Sequence, residues 1–377
     1  MKIAILTWAA NTNNYGSILQ AYALQRFLDD NGYDSIILDY RWNANDLKWP
    51  SEIEITRRKI ATRIKNHFNE KSDRLNQMNC LVTKSCLDFR HNNMKISHTY
   101  RGIKELKASN KEYDTFICGS DQIWSMKEII NPAYYLTWVS KEKKKIAYAP
   151  SMPMIQIDSK RQKALKEFVC DFTAVSVREE KTAEMMQELL GQNIISTLDP
   201  TLLIDEKVWF DLTTNNNTKE KYILCYFLGK NKNYEKCVQR IAKETNHRVI
   251  VVPTSEKSFE FEGDIKRDVG PIKFLNLIRN ASIVMTDSYH ASIFSVIFKK
   301  QFVLFKRFID GNKDDENGRI YDLVTKLSLY DQLADAENFD LNKLKKPNYN
   351  LQDEKLELLR KESKDFLLSS LVKEDWL

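Results

Sequence analysis

The chain has 377 residues, with 58 Lys plus Arg against 52 Asp plus Glu for a formal charge of +6, and it carries 10 glycines, six cysteines and five histidines. That length suits two domains of ordinary size, and the small positive excess suits an anionic small substrate or an acidic surface, not a dedicated nucleic-acid binder. G-x-G-x-x-G and Walker sequences are absent, the cysteines form no C-x-x-C pair, and the histidines show no H-x-H or H-E-x-x-H spacing, so a phosphate-cradling glycine loop, a disulfide framework and a tightly held structural metal are not expected.

No window approaches the roughly 18 uncharged apolar residues of a membrane span. Met1–Leu6 runs straight into Thr7-Trp8 without the longer apolar region and cleavage site of a signal peptide, so a cytoplasmic protein is expected.

Ile3–Leu6 reads as a short buried strand, and Ser17–Asp30 then places Ile18, Leu19, Ala21, Tyr22, Leu24 and Leu28 at helical spacing. Gly32 stops that helix, and Ser35–Tyr40 is the next strand. A β-α-β opening favours a parallel sheet with ligands at strand carboxyl ends, of which the loop Asn11–Gly16 is the first. Arg57–Arg74 is strongly basic and sets Ile60, Ile64 and Phe68 four apart, which predicts an amphipathic helix whose cationic face is either solvated or laid against anionic lipid headgroups.

Tyr113–Cys118 is a strand ending at Gly119-Ser120-Asp121-Gln122, and Lys145–Ala149 is another, followed by a helix over Ser159–Phe172. The strand Ala174–Val177 carries Arg178-Glu179 at its carboxyl end and precedes a helix over Lys181–Leu190; Ile194–Leu198 stops at Asp199-Pro200. These alternating elements predict a doubly wound domain over residues 1–202. After the polar run Asn215–Lys221 a second series begins, with strands Tyr222–Phe227, Arg248–Val252, Ser282–Met285 and Phe302–Phe305 and helices Asn233–Thr245 and Ile272–Arg279. It predicts a second Rossmann-like domain over 203–345. A terminal amphipathic helix over 346–377 carries Leu356, Leu359, Phe366, Leu367 and Leu371. Two doubly wound α/β domains facing an interdomain cleft are a GT-B-like architecture.

Thr286-Asp287-Ser288-Tyr289-His290 stands between an apolar run, Ala281–Met285, and a second one, Ala291–Phe298. Strand, polar turn and helix in that order put Ser288 and His290 where first-turn amides meet a strand end, a site suited to an anion and to one titratable imidazole. The competing reading is that Asp287 or Ser288 caps the helix and His290 packs beside it. Asn14, Tyr15 and Gly16 pose the same choice, between a ligand loop and a turn with its cap.

Five segments in order, Asn14-Tyr15-Gly16 with Leu19–Gln25, Gly119–Trp124, Ser176–Glu179, Leu198–Leu202 and Thr286–His290, together resemble the polysaccharide pyruvyl transferase family over about residues 1–330. The resemblance implies a GT-B-like enzyme that takes phosphoenolpyruvate as donor and places pyruvate on a sugar, usually as a ketal bridging two hydroxyls, with release of phosphate. Phosphoenolpyruvate is then a substrate and no cofactor is expected. The acceptor would be a nucleotide-linked or lipid-linked saccharide of a bacterial surface glycan, met with peripheral contact at the inner face of the membrane.

Such a donor needs cationic forks, and Arg178 matches the arginine of the family's R-E position. His290 matches the motif histidine and either protonates the donor methylene or, as imidazolium, steadies the departing phosphate. Many members carry arginine two residues before this histidine; Ser288 places the chain with a branch showing S-[FY]-H, in which Arg319 of Asn317-Gly318-Arg319-Ile320 resembles the downstream arginine and returns a guanidinium, or else caps a surface helix. Asp121 is the candidate acceptor base or orienting group, with Gln122 beside it, and Asp199 reads as a turn-former.

Overall fold

The computed structural model describes residues 1–43, 46–47, 73–126, 130–152, 157–214, 220–229, 231–308, 317–340 and 344–372. The basic segment 57–72 and the polar run 215–219 lie outside them. Thirteen strands follow in chain order: β1 (Lys2–Leu6), β2 (Asp34–Arg41), β3 (Ile96–Arg101), β4 (Thr115–Cys118), β5 (Lys144–Ala147), β6 (Ala174–Val177) and β7 (Ile195–Ser196), then β8 (Tyr222–Tyr226), β9 (Arg248–Val251), β10 (Asp264–Ile265), β11 (Ile283–Thr286), β12 (Gln301–Phe305) and β13 (Leu333–Ala334).

The first seven form one sheet in the order β3-β2-β1-β4-β5-β6-β7, and the other six form a second, β10-β9-β8-β11-β12-β13. Every pairing is parallel. Numbered within its own unit, the second sheet reads 3-2-1-4-5-6, the doubly wound order, and the first adds one strand to it. In each sheet the direction of winding reverses beside the first strand: between β1 and β4, and between β8 and β11. Parallel strands are covered on both faces, so their residues run apolar without alternation; β4, β8 and β11 are buried at every position.

The chain divides into two compact units, one of residues 1–58, 90–204 and 357–377, the other of 59–89 and 205–356. Two helices, Asp73–Asn93 and Tyr349–Leu371, therefore have residues in both. The terminal helix does more than bury Leu356, Leu367 and Leu371: Ser363 Oγ accepts from the Leu198 amide at 2.9 Å and Arg360 Nε donates to the Leu202 carbonyl at 2.7 Å, satisfying backbone groups beyond β7.

The core of the first unit centres on Phe116, Trp124, Tyr135 and Trp138, with Trp124 stacked on Tyr135 at 4.9 Å. The second centres on Cys225, Phe227, Tyr234, Met285 and Phe305. Each large side chain so buried stabilises its unit by roughly 1.5–3 kcal/mol. The helix Tyr15–Asp30 buries 13 of its 16 residues, two of them glutamines. Gln25 accounts for its burial by donating to the Ser35 and Lys95 carbonyls and accepting from the Lys95 amide at 2.9 Å, which joins β2 to the start of β3. Gly32 ends this helix region at φ +82°, a conformation that disfavours any residue with a Cβ.

Candidate active site

In the first unit the switch between β1 and β4 is built from two loops and the start of the helix Tyr15–Asp30. Asn14 is the N-cap of that helix, its side chain accepting from the Ser17 amide at 3.2 Å. Tyr15 and Gly16 are buried behind it. Gln20, fully buried, donates to Thr7 Oγ1 and to the Ser17 carbonyl, each at 2.9 Å, and accepts from the Ser120 amide at 3.0 Å. Thr7 Oγ1 in turn donates to the Ser120 carbonyl at 2.9 Å. One amide side chain thus locks the β1 loop to the β4 loop.

The β4 loop itself turns sharply. Gly119 has φ +122°, and a Cβ there would run into the Tyr148 carbonyl. Asp121 follows at φ 75°, a left-handed conformation that Asp tolerates better than most residues and that recurs at functional sites. Its carboxylate accepts from the Ser17 hydroxyl on one oxygen and from the Gln122 amide at 2.8 Å on the other. Gln122 is half-buried beside it.

Arg178, at the carboxyl end of β6, is 1% exposed. Its Nη1 lies 3.1 Å from Asp199 Oδ2, and its Nε lies 3.3 Å from Glu179 Oε1. Glu179 also accepts from the Ser151 hydroxyl and, at 3.2 Å, from the Met152 amide. Asp199 is the N-cap of the turn Pro200–Leu202 and accepts from the Thr201 amide at 3.1 Å and hydroxyl at 2.8 Å. The guanidinium expected to meet the donor is thus enclosed between two carboxylates. The expectation that Asp199 forms a turn matches its place.

In the second unit Asp287 does the locking. Fully buried, it accepts from the Leu228 and Gly229 amides at 2.7 Å each and from the Tyr234 hydroxyl at 3.1 Å. Burial, reinforced by the Asp287 charge and this hydrogen bond, pushes the Tyr234 hydroxyl far above its ordinary value, which keeps it a donor. Arg307 stands 3.4 Å from the same carboxylate, and its Nη2 donates to the Asp287 carbonyl at 2.9 Å. A Cβ on Gly229 would come within 2.6 Å of Asp287 Oδ2, so only glycine fits.

Ser288, not Asp287, is the N-cap of the helix Tyr289–Ile297; its side chain accepts from the Ala291 amide at 3.4 Å. His290 occupies the first turn, half-buried, its ring edge-on to Tyr289 at 5.3 Å. Arg319 is 9% exposed in the first turn of the helix Gly318–Leu327, so the reading of a surface arginine does not hold. Asn317, the N-cap position before it, accepts from the Arg307 and Phe308 amides at 3.2 and 3.3 Å. A cavity of about 300 Å3 opens at the carboxyl ends of β8 and β9, lined by Phe227, Gly229, Lys232, Tyr234, Ser255 and Lys257 among others.

Asn14, Tyr15, Gly16, Asp121, Gln122 and Arg178 thus belong to the first unit, and Ser288, His290 and Arg319 to the second. Asn14 and Asp121 are brought to one switch through Ser17. Gln20, Ser17 and Arg307 carried no assigned role in the sequence reading. A glutamine on an otherwise apolar helix was the available signal for Gln20; nothing local marked Arg307, whose partner lies 20 residues away. Among the described residues no three metal-ligating side chains cluster, and no helix is long and apolar enough to cross a membrane.

Two doubly wound units in tandem, with polar residues gathered at both winding reversals, define an α/β protein of GT-B-like fold. UDP-GlcNAc 2-epimerase from Neisseria meningitidis, solved with UDP-GlcNAc bound, aligns with a TM-score of 0.50 at 10% identity over 98% of this chain and 99% of its own. UDP-GlcNAc 2-epimerase from Methanocaldococcus jannaschii aligns at 0.51 and 11% identity over 96% and 93%. At such identities the likeness speaks for the fold alone. No curated protein matches the sequence. The family model for polysaccharide pyruvyl transferase matches residues 14–307, from the cap of the first helix to the arginine beside Asp287, and the chain belongs to that family.

Proposed function

We propose that the protein transfers pyruvate from phosphoenolpyruvate to a sugar of a bacterial surface-glycan precursor, forming a ketal across two hydroxyls. The observation that carries this reading is the family match over 14–307, within which Asp121 and His290 each follow the strand across the switch from the first strand of its sheet. In the reaction the two sugar oxygens bond to C2 of the donor and the C2–O–phosphate bond breaks. Of the two hydroxyl protons, one ends on the donor methylene, which becomes methyl, and one leaves with phosphate.

His290 supplies the proton to the methylene or meets the departing phosphate as imidazolium. Asp121 takes a proton from an attacking hydroxyl, with Ser17 holding its carboxylate in place and Gln122 alongside. Arg319 and the first-turn amides behind Ser288 supply the positive field that the donor's carboxylate and phosphate require. Arg178 keeps its place in this scheme as the residue that positions the β6 and β7 ends through Asp199 and Glu179. No cofactor is needed. The acceptor is nucleotide-linked or lipid-linked, and the reaction runs on the cytoplasmic side, with the basic segment 57–74 as the contact to the inner membrane face.

Purified protein mixed with phosphoenolpyruvate should release phosphate only when a suitable glycan acceptor is present; release without acceptor dependence, or none with any acceptor, sinks the reading. A second reading, a glycosyltransferase using a nucleotide sugar, draws on the 300 Å3 cavity beyond β8 and β9, the side of a doubly wound sheet that takes a nucleoside. Thermal-shift titration separates them: phosphoenolpyruvate stabilises the protein under the first reading, uridine or guanosine diphosphate under the second.

A further inference from the structure

A second cavity, of about 230 Å3, lies in the first unit at the carboxyl ends of β1 and β2. Its lining includes Trp8, Tyr40, Trp42 and Tyr134, with Thr7 and Asn11 among the polar groups, and no Lys, Arg, His, Asp or Glu contributes to it among the described residues. Trp8 and Trp42 are 40% and 56% exposed. Single exposed aromatics are ordinary on a protein surface, but two tryptophans on one concave site mark a binding surface.

Three of these rings are held against one another. Trp8 stands edge-on to Tyr134 at 6.2 Å and 80°, and Tyr40 stands edge-on to Tyr134 at 5.8 Å and 81°. The Tyr40 hydroxyl donates to Asp46 Oδ2 at 2.9 Å. Below them Arg90 donates to the Thr12 carbonyl at 2.6 Å and the Ala9 carbonyl at 3.4 Å, pinning the β1 loop that forms the floor.

A lining with no charged side chain among the described residues is wrong for a small polyanion, which needs cationic partners. It is right for a neutral ring with one apolar and one polar edge. A pyranose has that form: its axial C–H groups carry slight positive charge and lie well on the negative face of an indole, while its hydroxyls reach polar groups at the rim. The volume, room for roughly eight waters at ~30 Å3 each, fits one sugar ring and falls below the range of larger ligand sites. One lining residue also connects the Asp121 loop to the cavity. Thr7 lines it and donates to the carbonyl of Ser120, the residue before Asp121. Burial holds the Tyr134 hydroxyl well above its ordinary value, a hydrogen bond with Trp8 works against this, and the Asp121 charge adds to it, so Tyr134 stands within the field of that carboxylate.

We propose that this cavity is the acceptor subsite, stacking one neutral sugar ring on Trp8 and Trp42 beside Asp121. The inference rests on the pyruvyl-transfer reading for the word acceptor, while binding of a neutral sugar can be measured apart from turnover. Saturation-transfer NMR on the full chain, with methyl β-glucoside, methyl β-galactoside, methyl β-mannoside and N-acetylglucosamine as probes, should show transfer to the C–H face of at least one. Trp8→Ala and Trp42→Ala should weaken that binding roughly tenfold or more, and Trp42→Phe should keep most of it, with unchanged circular dichroism in all three.

In the phosphate-release assay the Ala variants should raise KM for the glycan and leave KM for phosphoenolpyruvate alone. Saccharide binding by neither the wild type nor the variants overturns the subsite. So does equal binding by wild type and Ala variants, or turnover with an unchanged glycan KM; in that last case pyruvyl transfer survives. Sugar binding that needs both tryptophans in a protein that never releases phosphate has the opposite meaning: the subsite stands and the transfer reading falls.

Discussion

The hydroxyl of Ser17 donates to the carboxylate of Asp121, linking the first turn of the helix after β1 to the left-handed turn after β4. Among the described residues no salt bridge to Asp121 accompanies this bond. Asp121→Asn, which keeps the shape and tolerates the same backbone conformation, should lower turnover by roughly 10²–10⁴-fold with a melting temperature within a few degrees of wild type. Ser17→Ala should lower turnover less and leave KM for phosphoenolpyruvate unchanged. Phosphate-release kinetics beside thermal melts check both; full activity in Asp121→Asn removes it from the chemistry.

His290 lies in the first turn of its helix, and its neighbour Ser288 provides the cap. Replacing the imidazole should therefore cost rate and little stability. We expect His290→Gln to drop kcat by about 10²-fold or more while urea unfolding shifts by less than roughly 1 kcal/mol. A variant that turns over normally excludes both roles offered for this residue.

The buried pairing of Arg178 with Asp199 carries a different signature. Taking away one member strands the other charge in the interior, so Arg178→Ala should destabilise the first unit by about 3–5 kcal/mol. Asp199→Asn should do part of the same damage, and the double variant should be far less than additive. Denaturant melts of the four proteins settle it. Inactivity of Arg178→Ala in a protein that stays folded under assay conditions would point instead to a direct role with the donor.

Gly229 leaves no room for a side chain, because the carboxylate it would strike is fixed by two backbone amides. Gly229→Ala should cost about 1–3 kcal/mol. Asp287→Ala, which leaves those amides and the Tyr234 hydroxyl without an acceptor, should cost about 3 kcal/mol or more. Calorimetric melts give the comparison, and near-neutral behaviour of Asp287→Ala would show that the β8 loop is not held in this way.

The legible parts of the fold were those written in apolar runs with polar ends. β1, β4, β8 and β11 are buried on both faces, so a parallel-sheet strand announces itself without alternation. β3, with only Tyr100 of its six residues buried, is a polar edge strand and carries no apolar run to mark it. The helix Asp73–Asn93 was missed for a related reason: only Met78, Val82, Cys86, Phe89 and Arg90 are buried, a narrow stripe in a polar segment. β10 and β13, of two residues each, pair with neighbours and carry no pattern of their own.

At the site, local rules offered a cap in the segment Asn14-Tyr15-Gly16, a turn at Asp199 and a helix start at Asp287 or Ser288. They could not tell which of Asp287 and Ser288 caps, because that depends on Leu228 and Gly229, 59 and 58 residues away from Asp287. The same limit applied to Arg178: the carboxylate set against this guanidinium lies 21 residues on, where no local pattern points to it.

Asp121 and Asp287 both stand after the strand that flanks the first strand of their sheet, but the amide that holds Asp121 belongs to the next residue, Gln122, whereas those that hold Asp287 come from the loop after another strand. One oxygen of Asp121 is held by a hydroxyl that can rotate and offer its proton elsewhere. The oxygens of Asp287 are held by amides whose positions are set by the course of the chain, with a phenol and a guanidinium packed behind them. The first acid can change hydrogen-bond partners by rotation of a hydroxyl; the second cannot without moving a strand end. Random substitutions around the two should therefore sort into two screens, those near Asp121 appearing as slow enzyme and those near Asp287 as poor yield of soluble, folded protein.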